Sequence, residues 1–134
     1  MKRNMSVYYG ILIFLLSCLS GCTGKSQDII GISSSEVTAD ASAGTVELTA
    51  KGAFDIDWVR YGTDKTEGEL SLRGNRNGDE YDYTGPWFTI RTSDERHRLI
   101  IDLKENTTGI GRSLSIQIFS LDYFQWVNVS QSAE

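Results

Sequence analysis

At 134 residues the chain has room for one domain of ordinary size. Its 18 acidic against 13 basic side chains give a net charge of −5. Such a surface repels phosphate backbones, which excludes nucleic acid as a partner.

The first element is not part of that domain. Lys2 and Arg3 form a short positive start, and Ile11 to Leu19 make a nine-residue apolar run. That run fits the ~7–15 residues of a signal-peptide core and falls short of the ~20 needed to span a bilayer. It closes on Leu19-Ser20-Gly21-Cys22, which resembles the lipobox of bacterial lipoproteins. The resemblance implies cleavage after residue 21 and acylation of Cys22, which places the domain outside the cytoplasm in the bacterial cell envelope. The outer membrane is the membrane expected. One chain of myristoyl size anchors only marginally and two or more anchor stably, so the several acyl chains of a lipoprotein cysteine would hold permanently.

Cleavage would remove Cys18 and acylation would block Cys22, leaving no free thiol for a disulfide, thiol catalysis or a cysteine metal site. Losing Lys2 and Arg3 leaves 11 basic against 18 acidic side chains, a net −7, with no polybasic patch to reinforce contact with anionic lipid. Residues 22–29 read as a flexible tether, since the stretch from Thr23 to Ser35 is rich in Gly and Ser. The domain then runs over residues 30–131.

Its texture is β throughout. Val46, Leu48 and Ala50 alternate with polar neighbours, as do Phe54, Ile56 and Trp58, then Leu99, Ile101 and Leu103, then Leu114, Ile116 and Ile118. A period of two puts each set on one face of a strand. Asn77-Gly78 is a strong two-residue turn signal, and the segments 69–73 and 79–83 beside it each alternate. They predict a β-hairpin inserted between two strands. Pro86, the only proline, introduces the strand Trp87–Thr92, a position where no ladder donor is lost. Seven to eight short strands without a helix predict an all-β, Ig-like β-sandwich carrying that hairpin. Trp58 is the expected core tryptophan.

The last third holds a recognisable arrangement. A strand at Leu99–Leu103 leads into Asn106-Thr-Thr-Gly109, then Arg112, an alternating strand, and the closing Val127-Asn-Val-Ser-Gln131. With Ala43-Gly44-Thr45-Val46, Trp58 and Trp87-Phe88-Thr89-Ile90 upstream, this resembles the BACON domain, a Bacteroidetes-associated module named for suspected carbohydrate binding. The resemblance spans residues 32–131 and implies an Ig-like sandwich on a surface protein involved with glycans. It supplies no agreed contact residues. Locally the motif reads as structural: Asn106 suits a turn, Gly109 and Gly111 allow the reversal, and Arg112 begins the next strand.

Catalytic signals are sparse. His97 is the only histidine, set in a charged turn with no partner set for a nucleophile, and carboxylates alone would have to complete any zinc site. Asp55/Asp57 and Asp79/Glu80/Asp82 read as solvated strand faces rather than a glycosidase pair. An EF-hand frame around Gly78 would put Arg73 at the first ligand position, where a carboxylate is required. No metal, cofactor or enzymatic activity is expected.

The aromatics carry the functional expectation. If Val127 and Val129 face inward, Phe124, Trp126 and Asn128 face outward. The candidates for carbohydrate or partner binding are therefore Trp126, Phe124, Trp87 and Tyr83. An exposed tryptophan points to a partner. The expected partner is a polysaccharide or mucin glycan, and the alternative is a structural spacer or a protein-interaction subunit of a cell-envelope complex.

Overall fold

The computed structural model describes residues 27–63, 67–74 and 76–134. The expected signal peptide over 1–21 and the expected lipidation site at Cys22 lie outside them.

Nine strands follow in chain order: β1 Glu36–Ala39, β2 Gly44–Thr49, β3 Asp55–Thr63, β4 Glu67–Ser71, β5 Asp82–Thr84, β6 Phe88–Ser93, β7 Arg98–Leu103, β8 Arg112–Ser120 and β9 Tyr123–Gln131. They form two sheets, of order β1-β9-β8-β3-β4 and β2-β7-β6-β5, and no helix occurs among the described residues. All pairings are antiparallel except β1 with β9, which run parallel from Glu36↔Asn128 to Ala39↔Gln131. The molecule is a β-sandwich.

Period-two alternation places the core between the sheets. Leu114, Ile116 and Ile118 of β8 with Val127 and Val129 of β9 face Leu99, Ile101 and Leu103 of β7 and Phe88 and Ile90 of β6, all buried. Ile30 is buried in the same core. Its segment is pinned where Lys51 and Gly52 donate their amides to the Ile30 carbonyl, each at 2.9 Å. Gly52 is required there, because a Cβ would collide with the Ile29 carbonyl.

Three expectations are corrected. Trp58 is not in the core but 38% exposed. The cause is a β-bulge: Ile56 pairs with Ile118 and Trp58 with Gln117, so Asp57 is an extra residue on β3 and everything after it changes face. Val59, not Trp58, takes the buried place.

The hairpin between 69–73 and 79–83 does not form as read. β4 folds back on β3 in one sheet, while β5 pairs with β6 in the other, which brings the strand number to nine. Between them Gly78, at φ +68°, makes only a local reversal bracketed by the Asn77↔Glu80 bridge. The crossing chain puts Leu72 and Tyr81 into the core instead of a hairpin over the surface.

Asp55 and Asp57 are not free on a solvated face. Asp57 is buried and takes Nε and Nη2 of Arg73, both at 3.0 Å. Asp55 lies 3.5 Å from Arg76 and 3.4 Å from Arg96, and accepts the Tyr81 hydroxyl at 3.2 Å.

Candidate functional site

The two outer faces differ in kind. On the four-stranded sheet Asp102 accepts Thr45 Oγ1 at 2.7 Å, Thr89 Oγ1 at 3.0 Å and Arg91 Nη2 at 3.0 Å. Those bonds, the Thr45 bond foremost, hold its carboxyl below the usual carboxylate range. Glu47 and Arg98 pair beside it at 3.0 Å. This face is polar and satisfies itself.

The outer face of the five-stranded sheet is aromatic. The bulge turns Trp58 outward, where it sits opposite Gln117 of β8, which in turn sits opposite Trp126 of β9. Two tryptophans thus flank one amide in a row across three strands, about 10 Å from first to last at the spacing of adjacent strands. Toward the β8–β9 turn the next row is Phe119 and Phe124, stacked with centroids 5.5 Å apart, and Phe124 is 46% exposed. On the other side runs a polar row, Glu69–Arg60–Ser115–Asn128–Glu36. Ser115 donates to Asn128 at 2.7 Å and Asn128 to Glu36 at 2.7 Å. Arg60 reaches over the Trp126 ring at 4.9 Å and pairs with Glu69 at 3.4 Å. At the β4 edge of this face lies an open depression of about 330 Å³, lined by Arg60, Glu67, Glu69, Ser113 and Ser115 among others.

Of the four aromatic candidates, Trp126 and Phe124 share this face and the other two do not. Tyr83 sits opposite the buried Ile90, on the inner side of β5, and packs on Phe88 at 6.2 Å. Burial pushes its phenol pKa up. Trp87 packs edge-on against Phe88 at 5.0 Å and lies under the Arg112 guanidinium at 4.3 Å. Both belong to the core margin. Trp58, Gln117 and Arg60 were not among the candidates, although β3 does carry the signal. Phe54 and Ile56 set one phase, Val59 and Tyr61 the opposite one, and the break falls at Asp57.

The motif in the last third is structural in every detail. Asn106 is buried, donates to the carbonyls of Ile110 at 2.8 Å and Ser132 at 3.0 Å, and accepts the Thr108 hydroxyl at 2.6 Å. Arg112, also buried, donates to Gln131 Oε1 and the Lys104 carbonyl, both at 2.8 Å. Its burial without an anion lowers its pKa. Gln131 closes the set with a bond to the Lys104 carbonyl at 3.0 Å. His97 is a loop residue whose Nδ1 lies 2.9 Å from the Asp94 carbonyl. Among the described residues no group of three or more His, Cys, Asp or Glu is placed to hold a metal ion.

No protein-family model and no curated protein matches this chain. Among solved structures, the NMR structure of a protein from Bacteroides thetaiotaomicron is similar over 84% of this chain and 93% of that one, with a TM-score of 0.58 at 16% identity. The likeness is one of fold. A chimeric titin Z1Z2 functionalised with a KLER exogenous peptide from decorin covers 74% of this chain and 83% of that one at 13% identity. Its TM-score of 0.37 is too low to bear on the architecture.

Proposed function

We propose that this chain is a lipid-anchored, non-catalytic module of the bacterial cell envelope that binds glycan on the outer face of its five-stranded sheet. The observation that carries the reading is the row Trp58–Gln117–Trp126 beside a polar depression. Sugar rings have apolar CH faces and hydroxylated edges. Aromatic planes suit the first, and the amide, hydroxyl and charged groups of Gln117, Ser115, Arg60 and Glu69 suit the second.

The BACON-like and Ig-like character belongs to the same reading. It is supported by the sequence motif of residues 99–131 and by the strand order of the two sheets. Anchoring through Cys22, with the domain outside the cytoplasm at the outer membrane, is supported by the sequence of residues 1–22. The non-catalytic character is supported by the carboxylates most suited to hydrolysis, Asp55 and Asp57, being engaged with arginines.

The alternative is a protein-docking face. It is favoured by Arg60 covering the Trp126 ring, since tryptophan and arginine together dominate protein–protein hot spots.

Calorimetric titration of the detergent-solubilised protein with a panel of polysaccharides and mucin decides between them. The expected result is binding to at least one, abolished by Trp58→Ala with the circular-dichroism spectrum unchanged. Silence across the panel from folded protein overturns the glycan reading.

A further inference from the structure

Four large apolar side chains stand exposed among the described residues: Ile29, Trp58, Leu121 and Phe124. Three of them lie at one end of the sandwich. Leu121 and Asp122 form the two-residue turn between Ser120 of β8 and Tyr123 of β9, and Phe124 is the next residue along. Leu121 is 84% exposed, the most of the four. It also holds φ +53°, a left-handed backbone at a turn position where glycine is usual. A bulky apolar side chain kept at an exposed, strained tip needs a reason outside the fold.

The chain enters at this same end. Ile29 lies against Gly52, three residues before Asp55, and Asp55 pairs with Phe119 in the row that ends on Phe124. Asp28 is fixed there by the amides of Ile30 and Gly31 at 3.0 and 2.9 Å. It also neighbours Tyr123, whose phenol is pushed up by burial and then by the Asp28 charge.

We infer that the end of the sandwich carrying Leu121, Phe124 and Ile29 rests on the lipid surface, with the Leu121 tip entering the headgroup boundary. This rests on the anchored reading of Cys22. Only five residues lie between Cys22 and Asp28, a reach of about 20 Å at full extension, so this end of the domain cannot stray far from the bilayer. The lipid anchor supports a contact that would be weak alone, because the tether holds the tip at high effective concentration. Insertion is driven by apolar burial and not by charge, as the arginines described at this end, Arg73, Arg76 and Arg96, are paired with Asp57 and Asp55. The strands then run along the membrane normal, and the aromatic row that crosses them lies parallel to the bilayer, facing sideways and open to a glycan.

The test uses the full chain, acylated in a bacterial host and reconstituted in zwitterionic phosphatidylcholine vesicles. An environment-sensitive fluorophore is placed by Leu121→Cys at the tip or by Thr107→Cys in the exposed loop at the opposite end. The expected result is blue-shifted emission at 121, quenched severalfold more strongly by quenchers on the acyl chains than at 107, and unchanged by salt. Vesicle-bound protein with equal, water-like emission at both positions overturns the inference while leaving the anchor intact. A blue shift at 121 that appears without vesicles and grows with protein concentration assigns the tip to a second copy of the chain and also overturns it. Protein that does not float with vesicles overturns the anchor and the orientation together.

Discussion

At the level of single residues, position 58 shows how burial decides cost. Trp58 is partly covered on the outer face, so Trp58→Ala should cost about 1 kcal/mol, the centre of the range for point substitutions. Ile116→Ala, in the centre of β8, should cost about 2–5 kcal/mol through lost transfer energy and the cavity left behind. Paired urea titrations of the two variants measure the contrast. Leu121 makes the opposite case. A left-handed conformation costs a non-glycine residue about 1–2 kcal/mol, so Leu121→Gly should stabilise the isolated domain by up to about 1 kcal/mol after glycine's extra unfolded-state entropy is subtracted. Thermal unfolding in detergent-free buffer reads this directly. A gain in stability from removing a large apolar side chain would mark the tip as something the fold does not need.

Among the elements, the loop between β7 and β8 acts as a clasp. Asn106 ties the 106–110 turn to Ser132 beyond β9, and its backbone amide donates to Ala41 at 2.7 Å. Asn106→Ala would empty a fully buried site and remove the amide that joins the Ile110 and Ser132 carbonyls, so a loss of about 2–4 kcal/mol is expected in chemical denaturation. Much of this level was legible beforehand. Periodicity locates the interior positions of β2, β7, β8 and β9, and Asn106 and Arg112 read as turn and strand start from the sequence alone.

What escaped was the pairing of short alternating segments. Segments 69–73 and 79–83 carry the right alternation and flank the right turn, yet the first joins β3 in one sheet and the end of the second joins β6 in the other. Local pattern fixes a strand's faces but not its neighbour. The aromatic face was half legible for a related reason. Trp126 and Phe124 follow the simple phase of β9, whereas Trp58 needs the bulge, and Trp87 and Tyr83 are claimed by packing on Phe88.

For the molecule as a whole, an acidic group and raised tyrosines shape the pH range of stability. Asp102 has a folded pKa below its ordinary value, so its contribution is present above that ordinary value and is lost as pH falls through the depressed one. Stability should therefore decline below about pH 4, and Asp102→Asn should flatten that limb. Tyr81 is displaced the other way: burial first, then the Asp55 charge, raises its phenol above 10.0. A raised folded pKa gives stability that is complete below the ordinary value and fades as pH rises through the folded one, so the alkaline limb begins near pH 10. Tyr81→Phe should make it shallower. Urea midpoints measured from pH 2 to 11 check both limbs.

The parallel contact between β1 and β9 has a mechanical consequence. Parallel neighbours start at the same end, so Glu36 at the leading end of β1 and Gln131 at the trailing end of β9 lie at opposite ends of the ladder they share. Tension applied between the two termini would load the β1–β9 bonds in shear, all at once, instead of peeling them one by one. Single-molecule stretching should then record one high rupture force, and pulling from a cysteine placed on Thr38 in β1 against the N-terminus a much lower one. A chain held at its N-terminus and pulled at its C-terminus would resist along that one axis.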